Sequence, residues 1–379
     1  MNPVIRGVYQ TRFGELWDEG IKELILEAGK GAMKDAGVKV EEIDLVLVSN
    51  MLGSRFENQG HLGAMATSLL GIKAGGLRVE GACASGGLAV NQAVTAIKAG
   101  EAKTVLVIGV EKMTDKRVEE VTQGLMGAAS EEERRAGLSF VGLYALMARK
   151  YFKEFGAGKK DLAYVAVKNH SHASMNPKAQ FPFEIDVDKV LGSFCVAEPL
   201  GLFDCAPITD GAAGLVISKK GKDKREVEIL ASKVATDSPS LTGRKSLLEL
   251  EATKIAGKKA YKEAEIKPDE IDMAEVHDCF TIAEVLAIED LGWVKKGEGF
   301  KAVKKGEFSL GGRLPVNLSG GLKACGHPVG ATGVKQMVEV VTQLRGEAGG
   351  RQKKQARLGL THNIGGTGGT AVVHILKKL

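Results

Sequence analysis

Apolar residues follow two spacings along this chain. From 19 to 36 they recur every three or four positions, as on the buried face of an amphipathic helix: Ile21, Leu24, Ile25, Ala28, Ala32 and Met33. Elsewhere they form short runs that are bounded by turn residues, which is typical of buried strands. These runs lie at 43–49, 104–110, the latter part of 207–217, 227–234, 271–276 and 357–362. The mixed order of strands and helices predicts an α/β fold with helices on both faces of its sheets.

Part of this pattern occurs twice. Residues 31–50 align with residues 259–278 without a gap, and eight of the twenty positions are identical. Each copy contains the end of a helix, a turn and a strand in the same order. The repeat therefore predicts a duplicated α/β unit. The identical pairs are Ala32/Ala260, Lys34/Lys262, Ala36/Ala264, Lys39/Lys267, Glu42/Glu270, Ile43/Ile271, Asp44/Asp272 and Val48/Val276.

A second repeat concerns two later helices. The helix predicted at 84–99 is followed by Gly-Glu-Ala, and so is a helix that begins near Ala331 and ends before Gly346. Cys83 precedes the first of these helices and His327 precedes the second. If the two halves pack face to face about a pseudo-twofold axis, these reactive residues meet in one shared site.

Residues 112–203 interrupt the duplicated pattern. This stretch is longer and more charged than any connection in the second half, and it carries loop signals such as Asn-Pro and Phe-Pro. We interpret it as an inserted lid over the cleft. The first lobe then comprises residues 1–111 and 204–220, and the second lobe comprises residues 221–379.

Composition limits the classes of function. The 379 residues carry 52 basic and 47 acidic side chains, and aromatic residues make up 5%, so a nucleic-acid surface is not expected. No apolar run approaches the 18 residues or so of a membrane span, and the N-terminus lacks a signal-peptide pattern. Five irregularly spaced cysteines indicate reduced thiols and a cytoplasmic protein. The small positive excess suits an anionic ligand.

Cys83 is the first candidate for chemistry. It follows a strand-like segment at 77–80 and precedes a helix whose first turn is Ser-Gly-Gly. Backbone N–H groups and the positive end of the helix dipole are then expected to lower the pKa of the thiol. A buried structural cysteine is the competing interpretation, but the small neighbouring residues leave the sulfur reachable and favour a nucleophile.

Two further segments supply proton-transfer groups. His277 and Cys279, in the sequence HDCF at 277–280, follow a predicted strand and precede a helix, where ligands of open α/β sheets collect. His327, in GHPVG at 326–330, lies in a glycine-rich segment that permits close approach of a ligand. A packing role for the first pair and a surface role for His327 are the alternatives.

The last candidate segment, NIGGTGG at 363–369, is predicted to be a tight turn between two strands that can present N–H groups to an oxyanion. A rival hypothesis assigns His277, Cys279, Cys325 and His327 to a zinc site, but the one-residue spacing is tighter than usual and zinc would block the thiols. We therefore expect no metal.

These motifs, in this order, resemble the thiolase superfamily over essentially the whole chain, and the HDCF variant is most similar to the sterol-carrier-protein-type thiolases and their archaeal and bacterial relatives. The resemblance implies a doubled thiolase fold with five α/β/α/β/α layers and an inserted loop domain. It also implies a homodimer or homotetramer, coenzyme A thioesters as substrates and no permanently bound cofactor.

The resemblance also assigns roles by position. It makes Cys83 the acylated nucleophile, His327 its base and Cys279 the second acid/base, and it gives His277 the place of an asparagine that holds a water or oxygen in the first oxyanion hole. The backbone N–H groups of Cys83 and Gly365 would form the second oxyanion hole. Candidates to face coenzyme A are His170, Arg244 and Lys245, for which solvated or structural roles compete.

One departure from the family pattern is visible. Most thiolases carry a second catalytic cysteine in a C-terminal CxGGG motif, where this chain has Asn363. Cys279 resembles its replacement. If Cys279 points away from the site, acyl transfer or hydrolysis would remain without carbon–carbon chemistry.

The resulting prediction is a reversible acetyl-CoA acetyltransferase that makes acetoacetyl-CoA through an acyl-Cys83 intermediate. Archaeal relatives imply a mevalonate-pathway role together with hydroxymethylglutaryl-CoA (HMG-CoA) synthase and a zinc-ribbon/OB-fold protein of the DUF35 type. The alternatives are a degradative 3-ketoacyl-CoA thiolase of broader chain length, a decarboxylating ketosynthase and a scaffold that binds acyl-CoA without condensing it.

Overall fold

The computed structural model describes residues 2–219, 221 and 223–379. The predicted lobe boundary at 220 and 221 therefore falls partly outside the described residues. Eleven strands are present in this part of the chain. They are β1 (Val4–Gln10), β2 (Leu45–Ser49), β3 (Gly75–Val79), β4 (Thr104–Glu111), β5 (Cys195–Ala197), β6 (Leu200–Gly201), β7 (Gly211–Ser218), β8 (Val227–Thr236), β9 (Met273–Glu275), β10 (Leu358–Gly365) and β11 (Thr370–Lys378).

Fourteen α-helices occur in the same residues. They are α1 (Ile21–Ala36), α2 (Gly53–Phe56), α3 (Leu62–Leu70), α4 (Ser85–Ala99), α5 (Val118–Leu125), α6 (Glu131–Arg135), α7 (Phe140–Phe155), α8 (Lys159–Ala173), α9 (Val187–Leu191), α10 (Glu251–Ala264), α11 (Thr281–Asp290), α12 (Gly299–Lys304), α13 (Gly321–Cys325) and α14 (Thr332–Arg345). No described helix is both long and apolar enough to cross a bilayer.

Nine strands form one mixed sheet in the order β3-β2-β4-β7-β1-β8-β11-β10-β9. The first five belong to the N-terminal half and the last four to the C-terminal half. The halves join through a short antiparallel pairing in which Val4 lies opposite Glu228 and Ile5 opposite Val227. The predicted α/β class is confirmed.

Two helices lie between the halves. Helix α14 contacts β7 and β4 of the first half as well as β10 and β9 of the second, and α4 contacts α14 and strands of both halves. Helix α1 packs on β1 and β7, and α10 packs on β8 and β11. The layers are therefore helix, N-terminal part of the sheet, central helices, C-terminal part of the sheet and helix, as the family resemblance implies.

The internal repeat extends to a shared 3-10 turn and to equivalent hydrogen bonds in the two copies. A short 3-10 turn occupies 40–42 in the first copy and 268–270 in the second, at equivalent positions of the alignment. The carboxylate of Asp44 accepts the N–H groups of Lys103 and Thr104 at the start of β4. The carboxylate of Asp272 accepts two N–H groups at the start of β10 in the same way.

The N-termini of the two central helices approach each other closely. A Cβ atom on Gly86 of α4 would lie 2.7 Å from the backbone nitrogen of Gly333 in α14, and one on Gly333 would lie 2.2 Å from the nitrogen of Gly87. Real Cβ atoms do not come this close to backbone. Glycine is required here because the ends of both helices, which carry the candidate site, converge on one point.

The stretch from 112 to 203 contains α5 to α9 together with the β5–β6 hairpin. Side chains from α5 and α7 line the cavity described below. The proposed division of the chain into two lobes and a lid remains a prediction.

Candidate active site

Cys83 lies in the tight turn between β3 and α4. The preceding Ala82 has φ of +54°, a left-handed conformation that residues with a Cβ rarely adopt. The hydroxyl of Ser85 stabilises this turn, because it donates to the carbonyl of Ala82 at 2.6 Å and accepts the N–H of Gly81 at 2.9 Å. The turn therefore holds the sulfur at the start of the central helix α4.

His327 approaches from the start of the other central helix. Its backbone N–H donates to the hydroxyl of Thr209 at 2.9 Å, and its ring Nδ1 lies 2.7 Å from the hydroxyl oxygen of Thr332. That hydroxyl donates its own proton to the carbonyl of Pro328. Its oxygen is thus an acceptor, so the proton of the imidazole belongs on Nδ1 and the lone pair on Nε2.

The opposite tautomer is fixed at His277 by Asn363. The side-chain oxygen of Asn363 accepts the N–H of Gly87 at 3.0 Å, so its amide nitrogen is the donor. This nitrogen donates to the carbonyl of Cys83 at 2.9 Å and to Nδ1 of His277 at 3.1 Å. The proton of His277 therefore belongs on Nε2, a buried atom without a hydrogen-bond partner among the described residues. Nε2–H is a free donor inside the site.

These groups converge. One ligand-type atom from each of Cys83, His277 and His327 lies within 4.8 Å of the others, and the two imidazole rings are 5.1 Å apart and perpendicular. The nucleophile candidate comes from the first half of the chain and both imidazoles come from the second half. The duplication predicts this meeting of Cys83 with His327.

Cys279 opens onto the same cavity as Cys83 and His327. The cavity has a volume of about 200 Å³ and is lined mainly by apolar side chains. Besides these three residues, the lining comprises Met113, Val118, Val121, Thr122, Leu125, Ser139, Phe140, Val141, Tyr144, Cys205, Ala206, Pro207, Ile208, Phe280, Val329 and Gly366. Cys83 and Cys279, the two cysteines that are predicted to react, thus line the same cavity.

Burial dominates the electrostatics of the thiols. It raises the pKa of Cys83 to about 12, although the N–H group of Gly366 and that of Cys83 itself act in the opposite direction. The expectation of a lowered pKa is wrong because desolvation of the thiolate outweighs the helix terminus. Burial also raises the pKa of Cys279 well above its usual value, with Cys83 as the next cause. Both residues are thiols at rest, so a base must remove a proton during reaction.

The imidazoles are neutral at rest. Burial lowers the pKa of His327 to about 3, with Lys335 adding to the effect. Burial and then His327 lower the pKa of His277 well below its usual value. A neutral His327 with an open Nε2 lone pair can accept a proton, and a neutral His277 can donate a hydrogen bond to a developing negative charge.

The zinc hypothesis finds only partial geometric support. The sulfur of Cys325 accepts hydrogen bonds from Gln10 and Asn176, and it is not part of the three-residue group. Binding a metal through His277 Nε2 would require moving its proton to Nδ1, which now accepts from Asn363. The donor set therefore fits a proton-transfer site better than a zinc site.

The three candidates for coenzyme A contact lie outside the residues that line the cavity. The guanidinium of Arg244 donates to the carbonyl and hydroxyl of Thr367 and to the carbonyl of Ser238, so it holds the glycine-rich turn. Lys245 is exposed. His170 is buried, with Nδ1 3.1 Å from the carbonyl of Phe183.

Sequence reasoning missed several groups. It did not assign roles to Asn363, Thr332 or Tyr144, or to Gly366, whose N–H reaches the Cys83 sulfur. The proposed oxyanion role of Gly365 remains a prediction. The one available signal was Asn363, a polar amide at the end of an apolar run before a glycine-rich turn.

Asp278 was also missed. Its carboxylate accepts N–H groups from Leu322 at 2.7 Å and from Asn169 at the same distance. It thereby ties HDCF to helix α13, which leads into GHPVG.

The fold and the site define a doubled α/β protein in which two oriented imidazoles lie beside the Cys83 thiol and a second thiol opens onto the same cavity. Comparison with known proteins agrees with this class. Residues 4–221 match the family model "Thiolase, N-terminal domain", and residues 234–378 match "Thiolase C-terminal domain-like". The chain belongs to the thiolase family and is an acyltransferase.

Individual relatives refine the placement. The chain is 46% identical to the acetyl-CoA acetyltransferase of Methanothermobacter thermautotrophicus over 98% of both chains. It is 33% identical to human sterol carrier protein 2 over 98% of this chain and 71% of that protein. The solved Ltp2-ChsH2(DUF35) aldolase shares the fold, with a TM-score of 0.86 and 23% identity over 100% of this chain and 98% of the other.

Proposed function

We propose that this thiolase is an acetyl-CoA acetyltransferase that interconverts two molecules of acetyl-CoA with acetoacetyl-CoA and CoA. The convergence of the Cys83 sulfur with the two oppositely protonated imidazoles, within 4.8 Å, carries the proposal. The relative that is 46% identical over nearly the full chain supports the choice of acetyl-CoA.

The first half-reaction acylates Cys83. His327 Nε2 takes the thiol proton as the sulfur attacks the thioester carbon, and the same proton then goes to the departing CoA sulfur. The charge that develops on the thioester oxygen needs donors. The backbone N–H groups of Cys83 and Gly366 reach the Cys83 sulfur, and the neighbouring N–H of Gly365 keeps its proposed place in this oxyanion hole.

The second half-reaction forms the carbon–carbon bond. His327, which is neutral again after the first half-reaction, takes the proton of Cys279, and the resulting thiolate takes a proton from the methyl carbon of a second acetyl-CoA. The freed electron pair attacks the acyl carbon on Cys83, and the carbon–sulfur bond breaks toward Cys83. The Cys83 thiolate then takes the proton that His327 holds. His277 Nε2–H donates to the oxygen of the enolate.

Mass spectrometry after incubation with acetyl-CoA tests the assignment. We expect one acetyl group on Cys83, none in Cys83→Ala, and retained acetylation without acetoacetyl-CoA formation in Cys279→Ala. Cys205→Ala is the matched control, because Cys205 lines the same cavity and has no proposed role. Acetylation that persists in Cys83→Ala would refute the nucleophile assignment.

A second candidate function is cleavage of longer 3-ketoacyl-CoA substrates. The apolar lining of the cavity favours it, since each methylene buried there contributes about 0.8 kcal/mol, or roughly fourfold in kcat/KM. Thiolysis rates measured for 3-ketoacyl chains of increasing length separate the two functions. Rates that rise with length favour the second, and rates that fall favour acetyl specificity.

We further propose a cytoplasmic homo-oligomer in the mevalonate pathway that binds HMG-CoA synthase and a DUF35-type zinc-ribbon/OB-fold protein, with coenzyme A only as substrate and product. The structural neighbour, an aldolase whose name joins Ltp2 to ChsH2(DUF35), supports the second partner. Co-expression followed by size-exclusion chromatography tests the binding of both partners, HMG-CoA synthase and the DUF35-type protein. Separate elution of all three proteins would contradict the complex.

A further inference from the structure

Tyr144 places a hydroxyl beside the second thiol. It lies on α7, within the predicted lid, and is fully buried. Its ring packs against Phe280, with centroids 4.6 Å apart, and Phe280 directly follows Cys279. Helix α7 thus places a hydroxyl in a cavity that is lined mainly by apolar side chains.

The hydroxyl donates to the carbonyl of Gly366 at 3.1 Å. Tyr144 also lines the same cavity as Cys279 and favours ionisation of that thiol. Gly366 is the residue whose N–H reaches the Cys83 sulfur. The hydroxyl of Tyr144 therefore lies near both thiols, Cys279 across the cavity and Cys83 through Gly366.

We propose that Tyr144 is a positioning residue for Cys279, whose hydroxyl orients the thiol and stabilises its ionised form during proton transfer to and from the substrate carbon. The inference rests on the proposed function of Cys279. A phenol has one proton and can also accept. With Cys279 protonated, the hydroxyl donates to Gly366 and accepts the S–H. With Cys279 ionised, it turns its proton to the thiolate.

The surroundings of Cys279 oppose its ionisation. Burial, followed by Cys83 and Asp278, disfavours a thiolate at Cys279, whereas the hydroxyl of Tyr144 and the backbone N–H of Phe280 favour it. Of these two favourable groups, only the hydroxyl can be removed by substitution. The titratable and charged groups that face Cys279 or Tyr144 across the cavity and from adjoining elements are Cys83, Asp278, Arg244, Cys205 and His327.

Tyr144→Phe tests the proposal because it keeps the ring and removes the hydroxyl. We compare acetyl exchange between acetyl-CoA and labelled CoA, which needs only Cys83 and His327, with thiolysis of acetoacetyl-CoA, which also needs Cys279. We expect exchange within about twofold of wild type and thiolysis reduced ten- to a hundredfold. In thiolysis the Cys279 thiol gives its proton to the departing carbon, so its ionisation sets the falling limb of the pH profile. This limb should move to higher pH, because the Cys279 thiolate has lost a donor.

Tyr261→Phe is the matched control. The hydroxyl of Tyr261 also donates to a backbone carbonyl at 3.1 Å, that of Leu291, and the residue does not line the cavity. We expect this variant to retain both rates and the wild-type pH profile. Should Tyr144→Phe misfold, 3-fluorotyrosine at 144, a stronger donor, should move the falling limb to lower pH.

The outcomes separate the hypotheses. Equal losses of exchange and thiolysis with an unshifted profile would show that Tyr144 is only structural, and unchanged thiolysis would show that it has no role; either result overturns the proposal and leaves the proposed function standing. Wild-type protein that neither exchanges acetyl groups nor cleaves acetoacetyl-CoA would overturn both.

Discussion

Two histidines in this site carry their protons on opposite nitrogens, and hydrogen bonds set the difference. Thr332 leaves the lone pair of His327 on Nε2, and Asn363 leaves the proton of His277 on Nε2. One ring can therefore act as a base and the other as a hydrogen-bond donor, although both are neutral. Asn363 stands where most of the family is expected to carry a catalytic cysteine, so its task here is orientation.

Asn363→Asp should reverse the tautomer of His277. A carboxylate can only accept, so the ring proton moves to Nδ1 and the donor at Nε2 is lost. Loss of one oxyanion donor lowers kcat about 10²- to 10³-fold, measured as thiolysis of acetoacetyl-CoA. Asn91→Asp is the control, because Asn91 likewise donates to a backbone carbonyl, that of Ser232, away from the cavity. Wild-type turnover in Asn363→Asp would refute the role of the tautomer.

At the scale of elements, the site depends on how closely two helix termini approach. Helices α4 and α14 begin at the shared site, and Gly86 and Gly333 let their backbones touch. The copies of the repeat fix the neighbouring strands in the same way, through Asp44 and Asp272. The duplication thus produces two similar helix N-termini. The residues that precede them differ, Cys83 before α4 and His327 before α14, and these are the candidate reactive groups.

Gly333→Ala should push α4 and α14 apart, because its Cβ would lie 2.2 Å from the backbone nitrogen of Gly87. Overpacking of this kind costs about 1–3 kcal/mol in the free energy of unfolding, measured by urea denaturation, and thiolysis should fall with it. Gly142→Ala, near the start of α7, is the control, since its Cβ would have only ordinary contacts. Equal stability of the two variants would contradict the close approach.

The hydrophobic pattern predicted the elements that are continuous and apolar. Strands β2, β4, β8 and β10 and the helices α1, α4, α11 and α14 lie where short runs or helical spacings placed them. Strand β1 was missed because Gly7 and polar residues interrupt its apolar positions. It is nevertheless the strand that joins the two halves.

From the sequence, only those residues of the candidate site that lie in short local motifs could be predicted. Cys83, His277, Cys279 and His327 each stand in a short recognisable segment. The contact of Asn363 with Cys83 spans 280 positions of the chain, and that of Tyr144 with Gly366 spans 222. A single sequence contains no signal for such pairings, because they depend on how the elements pack.

For the whole molecule, buried histidines govern the response to acid. Burial lowers the pKa of six of the seven histidines, to about 3 or 4 wherever a value is resolved. The unfolded chain takes up these protons near pH 6.5 and the folded chain does not. Their contribution to stability is therefore complete above about pH 6.5 and is lost as the pH falls toward the folded values. Buried carboxyls with raised pKa, such as Glu111, act in the opposite direction. The six are His170, His172, His277, His327, His362 and His374.

His374→Leu should weaken this acid dependence. Neither ring nitrogen of His374 has a partner among the described residues, and burial lowers its pKa to about 4. Removing one such group reduces the slope of the free energy of unfolding by about 1.4 kcal/mol per pH unit between pH 4.5 and 6. Urea denaturation at several pH values measures this slope, with exposed His61→Leu as the control. An unchanged slope would refute the prediction.

The distribution of the reacting groups along the chain has a consequence for biosynthesis. Cys83 leaves the ribosome early, whereas His277, His327 and Asn363 follow almost 200 residues or more later, and Asn363 lies in the next-to-last strand. Until translation is nearly complete, the nascent thiol lacks the imidazole of His327 and the N–H group of Gly366 that reaches its sulfur. The proposed acylation of Cys83 therefore cannot use this machinery before the chain also contains the groups that are proposed to release the product.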